Sequence, residues 1–180
     1  MPDLPLRWES ESALLHVEPG IRSWLFDEDS LTQRLTTLAQ GAFDVLPLQE
    51  GRQVLRNDEC RALKLAEDSR GWCREVLLRG DGEPWVFARS VAGEAALEQE
   101  PVALATLGTR SLGQLLFSDR AFTRGPLTAT RCPPEWLPEG LQGSLWARRS
   151  TFQRNGLGIL VMEVFLPALW CYTDTASAID

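Results

Sequence analysis

The sequence is poor in the side chains on which many hydrolytic and metal-dependent sites rely. It contains one histidine, His16, and four cysteines that are far apart and form no C-x-x-C pair. A zinc site built from Cys and His is therefore not expected, nor is a catalytic pair of Cys or Ser with His. We expect His16 at the surface, the cysteines reduced and structural in a cytoplasmic protein, and no metal or cofactor.

Long apolar runs and blocks of basic residues are also missing. The longest apolar stretch, residues 159–170, is interrupted by Glu163 and Pro167 and is shorter than the roughly 18 to 20 residues that span a bilayer. The first residues show no basic stretch followed by an apolar one, as a secretory signal would. The 18 Lys and Arg against 25 Asp and Glu give a net charge of −7. Nucleic acid and membranes are therefore not expected as partners, and an anionic small molecule would need a few placed cations.

The composition that remains is that of one globular domain. The chain has 180 residues, 44% hydrophobic and 24% charged, which is enough to bury its own core. Ser30 and Ser111 are each followed three residues later by Gln, a pattern typical of a helix start. It predicts one helix from Ser30 to Gly41 and a short one from Ser111 to about residue 117. A further helical stretch is predicted over 94–107.

Two hairpins are predicted from turn residues between apolar segments. Gly80-Asp81-Gly82 separates strands 72–78 and 84–91, and Asn155-Gly156 separates strands 145–154 and 158–166. These patterns predict an α+β fold with a mainly antiparallel sheet flanked by helices. The remaining predictions are an irregular lead-in over 1–20, a short strand over 43–50, and one strand with a long loop over 118–143.

Two charged residues lie on strand faces that should be buried. Arg74 shares its face with Trp72, Val76 and Leu78, and Glu163 is the one charge in its apolar strand. A buried charge needs a partner or a wet cavity. One interpretation is a structural ion pair of these two residues with each other or with neighbours. The other is a polar site in which the planar guanidinium holds a carboxylate and the glutamate moves a proton.

Three further positions are relevant to such a site. If Ser111 caps its helix, the backbone N–H of Leu112 has no partner within that helix and favours an anion. Arg89 is another cation on a mainly apolar strand face, with Trp85, Phe87 and Val91, although long arginine side chains often reach the surface. Arg148 and Arg149 occupy adjacent strand positions, and we interpret them as a solvated edge.

Several segments resemble bacterial chorismate pyruvate-lyase. The resemblance covers most of residues 22–168, with the matching segments in the family's order and approximate spacing. They are Glu28-Asp29-Ser30-Leu31-Thr32, residues 72–78 (WCREVLL), 81–85 (DGEPW), 112–117 (LGQLLF), 145–150 (LWARRS) and 163–168 (EVFLPA).

This resemblance implies a cofactor-free lyase that splits chorismate into 4-hydroxybenzoate and pyruvate, the first committed step of ubiquinone biosynthesis. It implies an antiparallel sheet with the ligand enclosed under helical flaps. Such an enclosed site predicts slow product release and product inhibition. Arg74 and the Leu112 N–H would hold the ring carboxylate, with Glu163 at the hydroxyl end. Leu31 replaces a flap methionine of the family, and Arg89 matches an arginine near the ligand passage.

We therefore expect a lyase domain over residues 1–170, a flexible tail over 171–180, and a monomer. The alternative is a non-catalytic module that binds or senses a small aromatic acid, because effector domains of one class of bacterial transcription regulators are similar in fold to this lyase. Such a sensor is normally joined to a DNA-binding helix-turn-helix, for which we expect no room before residue 22.

Overall fold

The computed structural model describes residues 6–99, 104 and 107–173. These residues form seven antiparallel strands in one sheet, in the order β1-β2-β3-β7-β6-β4, with β5 also paired to β6. The predicted α+β architecture with a mainly antiparallel sheet is confirmed. The strands are β1 (Phe43–Val54), β2 (Arg70–Gly80), β3 (Glu83–Gly93), β4 (Thr123–Arg124), β5 (Thr128–Cys132), β6 (Leu145–Arg154) and β7 (Leu157–Phe165).

The helices are short and lie outside the sheet pairing. Turns of 3-10 helix occur at Glu11–Leu14 and Pro134–Trp136. None of the helices in the described part of the chain is long and apolar enough to cross a membrane. The α-helices are α1 (Pro19–Leu25), α2 (Leu31–Leu38), α3 (Asn57–Ala62), α4 (Glu94–Gln99), α5 (Leu112–Ser118) and α6 (Pro167–Trp170).

Both predicted hairpin turns and both predicted helix starts are confirmed. Asp81 and Asn155 have φ values of 51° and 48°, the left-handed backbone that a two-residue hairpin turn requires and that a following glycine tolerates. The Ser30 and Ser111 hydroxyls accept hydrogen bonds from the third backbone N–H of their helices, at 3.3 and 3.4 Å. The caps therefore fix where α2 and α5 begin.

Three predictions of local structure were wrong. The lead-in is not irregular throughout, since Glu9 bridges Ala129 and α1 buries apolar side chains in the core. The strand predicted over 43–50 continues to Val54, because pairing with β2 holds a mostly exposed and weakly apolar sequence. Residues 118–143 contain two strands, β4 and β5, because each pairs with a different part of the same edge of β6.

Two other predictions fall partly outside the described residues. Helix α4 accounts for the first part of the stretch predicted over 94–107, and residues 100–103 and 105–106 are not described. In the predicted tail, the ring of Tyr172 lies 4.9 Å from that of Trp85, and residues 174–180 are not described.

The sheet has two chemically different faces because successive side chains of a strand point to opposite sides. On one face α1 and α2 pack on Val76, Leu78 and Phe165, and the same face carries Arg74 and Glu163. On the other face α3 packs on Cys73, Val91 and Leu160. The alternation along each strand therefore decides which charged residues can meet.

Candidate active site

A small cavity lies between the sheet and the N-terminal ends of α2 and α5. Its volume is about 30 Å³, which is room for a water molecule or two rather than for an aromatic ring. An aromatic ligand would therefore need the covering helices or side chains to move outward. Its lining residues are Thr32, Val45, Arg74, Val76, Leu78, Ala88, Ser90, Arg110, Ser111, Leu112, Gly113, Val161 and Glu163.

The two covering helices are joined by one buried hydrogen bond. The hydroxyl oxygens of Thr32 in α2 and Ser111 at the cap of α5 are 2.6 Å apart, and both residues are buried. Gly113 keeps the helices close, because a Cβ at this position would lie 3.3 Å from the Thr32 hydroxyl. The bond joins residues 79 positions apart in the sequence and holds α2 and α5 together over the cavity.

Arg74 supplies a cation to the cavity and is 3% exposed. Its Nη1 donates to Oε2 of Glu50 at 2.9 Å, and its Nη2 donates to the carbonyls of Gly108 and Arg110 at 2.6 and 3.1 Å. Its Nε has no hydrogen-bond partner within the described residues. The partner of Arg74 is thus Glu50 rather than Glu163, and Arg74 is held from the side of β1 and of the segment before α5.

Leu112 lines the same cavity as the first residue of α5. Its position directly after the Ser111 cap leaves its backbone N–H outside the hydrogen-bond ladder of the helix. The structure thus brings Arg74 and Leu112 to one cavity.

Glu163 faces the cavity from β7 and is held by Arg148. Nε of Arg148 donates to Oε2 of Glu163 at 2.7 Å, and Nη1 of Arg148 donates to the carbonyls of Trp24 and Asp27, both at 2.9 Å. The interpretation of Arg148 as part of a solvated edge was wrong, because its exposed fraction is 0%. Pairing with Glu163 and two carbonyls is what makes this burial tolerable.

Arg89 does not reach the cavity. It pairs in register with Glu75 and Met162, on the opposite face of the sheet from Arg74 and Glu163. Its Nε and Nη2 donate to the two oxygens of Glu59 at 2.6 and 3.0 Å, and its Nη1 donates to Glu75 at 2.7 Å. The structure thus places Arg89 in a buried ionic cluster on the face of the sheet opposite the cavity.

The ionic cluster on this second face changes the pKa of its members. Burial alone would raise the pKa of Glu59, but the hydrogen bonds and charges of Arg89 and Arg56 hold it below its ordinary value. Burial likewise opposes the charge of Arg89, and Glu59 and Glu75 keep the pKa of that guanidinium above its ordinary value. Both groups are therefore ionised near neutral pH.

Leu31 is buried, at 4% exposure, in the apolar cluster between α2 and the sheet. It does not line the cavity, whereas its neighbour Thr32 does. Leu31, the predicted flap residue, therefore packs between α2 and the core. Thr32 is the residue of α2 that lines the cavity.

Sequence reasoning missed the supporting side chains of this site. The sequence did contain an indication for Arg148. A buried Glu163 needs a cationic partner, and Arg148 on β6 lies directly opposite it in the hairpin. Thr32 and Ser111 gave no such signal, because their contact depends on how two distant helices pack. Among the described residues there is no group of three or more Asp, Glu, His or Cys that could hold a metal ion.

Comparison with solved structures shows the fold alone. A GntR-family transcriptional regulator from Bacillus cereus matches with a TM-score of 0.50 at 9% identity, over 71% of this chain and 93% of that one. The C-terminal domain of the histidine utilization repressor from Pseudomonas syringae pv. tomato matches with a TM-score of 0.50 at 10% identity, over 70% and 92%. The fold thus defines a class of small α+β domains that includes regulator domains.

Comparison of sequences narrows this class to one family. The family described as "Chorismate lyase" matches residues 5–175. A "Probable chorismate pyruvate-lyase" of Pseudomonas aeruginosa is 57% identical over 91% of this chain and 92% of that protein. A "Probable chorismate pyruvate-lyase 2" of Pseudomonas entomophila is 62% identical over 82% and 80%. The chain belongs to the chorismate lyase family and is an enzyme of the lyase class.

Proposed function

We propose that this enzyme converts chorismate into 4-hydroxybenzoate and pyruvate. The observation that carries the proposal is a covered cavity with a guanidinium, Arg74, at one end, a carboxylate, Glu163, at the other, and apolar walls between them. The names of its relatives, probable chorismate pyruvate-lyases, support the same reaction.

The spacing of the two charged groups suits a ring with polar groups at opposite ends. Arg74 lies on β2 and Glu163 on β7, with β3 between them. Two strand spacings amount to about 9.6 Å across the sheet, and Glu163 lies two residues further along β7 than Val161, which is in register with Arg74. Both side chains lie on the same face of the sheet. A six-membered ring with a carboxylate and a hydroxyl in para positions fits such a gap once the covering helices give way.

Arg74 binds the ring carboxylate in this proposal. Its Nη atoms are held by Glu50 and two carbonyls, which fixes the plane of the guanidinium and leaves Nε for the ligand. A charge-assisted hydrogen bond from a fixed guanidinium gives both affinity and orientation. The backbone N–H of Leu112 donates a second hydrogen bond to the same carboxylate.

Glu163 acts at the hydroxyl end. In the reaction the ether C–O bond breaks and its electron pair leaves with the enolpyruvyl oxygen, which becomes pyruvate. The proton on the neighbouring, hydroxyl-bearing ring carbon is lost, and the ring becomes aromatic. Glu163 either accepts this proton or polarises the hydroxyl, and Arg148 keeps its carboxylate in place for either role.

The apolar walls and covering helices supply the rest of the catalysis. Because aromatisation drives the reaction, orientation and exclusion of water are the main requirements. A product held under two joined helices leaves slowly, so product inhibition is part of the proposal. We further propose that the reaction takes place in the cytoplasm, on a monomer, as the first committed step of ubiquinone biosynthesis.

The test is to incubate the purified protein with chorismate and to quantify 4-hydroxybenzoate and pyruvate by chromatography. Equal amounts of both products, formed at a rate proportional to enzyme, are expected. The Glu163→Gln protein serves as the matched control for spontaneous breakdown of chorismate. Binding of 4-hydroxybenzoate without turnover of chorismate would overturn the proposal and favour a sensing module, the alternative that the regulator-like fold suggests.

A further inference from the structure

The proposed substrate carries one more charge than the proposed product. Chorismate has a carboxylate on its ring and a second carboxylate on its enolpyruvyl group, whereas 4-hydroxybenzoate keeps only the first. A buried carboxylate needs a cation or several hydrogen-bond donors. If Arg74 takes the ring carboxylate, a second cation is needed near the Glu163 end, where the ether bond breaks.

Most arginines near the cavity are unsuited to this task. Arg148 is fully buried, and its bonds to Glu163 and to two carbonyls already hold it. Arg89 lies on the other face of the sheet with its own carboxylates. Arg110 lies at the Arg74 end, where its carbonyl accepts from Arg74.

Arg124 is placed at the required end. It lies on β4, and its Nε donates to the Ser150 hydroxyl at 2.9 Å. Ser150 is paired across β6 and β7 with Val161, which lines the cavity together with Glu163. Arg124 itself lines a neighbouring cavity together with Ser150. Its guanidinium therefore lies one strand beyond the Glu163 end of the candidate site, and not in its wall.

Arg124 also contacts both covering elements. Its Nη1 donates to the carbonyl of Glu28, just before α2, at 2.9 Å. Its guanidinium carbon lies 5.4 Å from the ring centre of Phe117 in α5. The guanidinium therefore lies beside both elements that cover the cavity.

The charge of Arg124 is poorly balanced by the protein. Within the described part of the chain it forms no ion pair with a carboxylate, and its Nη2 has no hydrogen-bond partner. Burial lowers the pKa of Arg124 from its ordinary value, and the attraction of Glu163 offsets this only in part. A half-buried cation with an unused donor beside an anion-binding cavity is suited to accept a carboxylate.

We infer that Arg124 forms a second carboxylate subsite, which binds the enolpyruvyl carboxylate of the substrate and is left without a partner by the aromatic product. This inference rests on the proposed function. It gives the site a means of distinguishing substrate from product, because departure of the enolpyruvyl group removes the anion that Arg124 holds.

The test compares substrate and product on the same variants. Arg124→Gln is expected to raise KM for chorismate at least about tenfold, the value of one charge-assisted contact, while Kd for 4-hydroxybenzoate stays within about twofold. Arg124→Lys keeps the charge, and its KM for chorismate is expected to lie between those of the unsubstituted and Arg124→Gln proteins. The matched control is Arg131→Gln, because Arg131 also donates to a carbonyl, that of Ser144, and stacks on a ring, that of Trp146. Unlike Arg124, it has no described contact with Ser150 or with the elements that cover the cavity.

A binding measurement separates the inference from the proposed function. Calorimetric titration with benzoate and with 3-(1-carboxyvinyloxy)benzoate, which adds the second carboxylate, requires no turnover. The dicarboxylate is expected to lose its advantage over benzoate in the Arg124→Gln protein and to keep it in the Arg131→Gln protein. Equal weakening of both ligands would show a purely structural role and overturn the inference. Failure of the unsubstituted protein to form 4-hydroxybenzoate would overturn the proposed function, and the titration would still decide the role of Arg124.

Discussion

Arg148 and Glu163 face each other across β6 and β7, joined by a 2.7 Å hydrogen bond from Nε to Oε2. The same guanidinium holds the carbonyls of Trp24 and Asp27, in the segment that leads into α2. One buried side chain thus connects the carboxylate of the site to the base of the helix that covers it. Replacing it disturbs both at once.

Arg148→Gln is expected to lower kcat about a hundredfold and to lower the free energy of unfolding by roughly 3 to 5 kcal/mol, because it leaves a carboxylate and two carbonyls without their donor. Steady-state kinetics and urea unfolding measure the two effects. Arg149→Gln is the matched control, since Arg149 bonds to Asp58 on the other face of the sheet and its loss should leave kcat unchanged. Full turnover by the Arg148→Gln protein would show that Arg148 is not needed to position Glu163.

Substitutions at the two ends of the cavity are expected to separate binding from turnover. Arg74→Ala should raise KM tenfold or more with a smaller change in kcat, because it removes the carboxylate partner. Glu163→Gln should lower kcat by about 10² to 10⁴, the usual contribution of a proton-transfer group, with little effect on product affinity. Steady-state kinetics on both proteins, together with Kd for 4-hydroxybenzoate, separate the effect on binding from the effect on turnover. Retention of full kcat by Glu163→Gln would exclude Glu163 from the chemistry.

Loss of the hydroxyl bond between the covering helices is expected to speed product release. Thr32→Val removes the 2.6 Å contact with Ser111 while keeping the shape of the side chain. A hydrogen bond of about 1 kcal/mol corresponds to a rise of about fivefold in the dissociation rate of 4-hydroxybenzoate, measured by stopped-flow displacement. Thr36→Val is the control, because the Thr36 hydroxyl bonds only within α2, to the Thr32 carbonyl. An unchanged rate would mean that the contact does not restrain α2.

The ionic cluster around Glu59 is expected to make stability depend on acid pH. The pKa of Glu59 is lowered in the folded protein from 4.5. Its ion pairs therefore contribute fully above about pH 4.5, and this contribution is lost as pH falls through the folded-state value. Glu59→Gln should be less stable by roughly 3 to 5 kcal/mol at pH 7, and the difference should shrink below pH 4.5.

Urea unfolding between pH 7 and pH 3 gives this difference directly. Asp44→Asn is the comparison, because Asp44 pairs with Arg79 at the surface and its loss should have a much smaller effect. A difference between the Glu59→Gln and unsubstituted proteins that stays constant across this range would contradict the assignment.

The cysteines are expected to differ sharply in reactivity. Burial raises the pKa of Cys73 and Cys132 to about 11, and Cys60 is fully buried. Cys171 is exposed. A thiol reagent such as 5,5′-dithiobis(2-nitrobenzoate) at pH 8 should therefore modify one thiol rapidly in the folded protein and four after denaturation, with Cys171→Ser abolishing the rapid phase. Rapid modification of a second thiol would show that the core opens locally.

The parts of the fold that the sequence predicted are those set by local chemistry. The caps at Ser30 and Ser111 and the turns at Asp81 and Asn155 depend on a few neighbouring residues, and each is where the sequence placed it. Strand β1 depends instead on its pairing with β2, which its own exposed residues do not reveal.

The candidate site shows the same division. Arg74 and Glu163 stood out because strand alternation placed a charge among apolar neighbours, and both line the cavity. Arg89 stood out for the same reason, but alternation alone does not say which face of the sheet holds the cavity. That choice depends on where α2 and α5 pack, a contact between distant parts of the chain. The contacts of Arg148 and Arg124 near the cavity depend on the same long-range packing.

The turn at Asn155 and Gly156 has a consequence for how this site could change by insertion or deletion. It sets the register of β6 against β7, and a slip of one residue would exchange the two faces of β6. Arg149 would then face the cavity and Arg148 the ionic cluster, without substitution of any residue in the site. The length of a surface turn eight residues from Glu163 therefore determines which arginine lines the proposed site, and turn-length variants of this hairpin would alter that site from outside it.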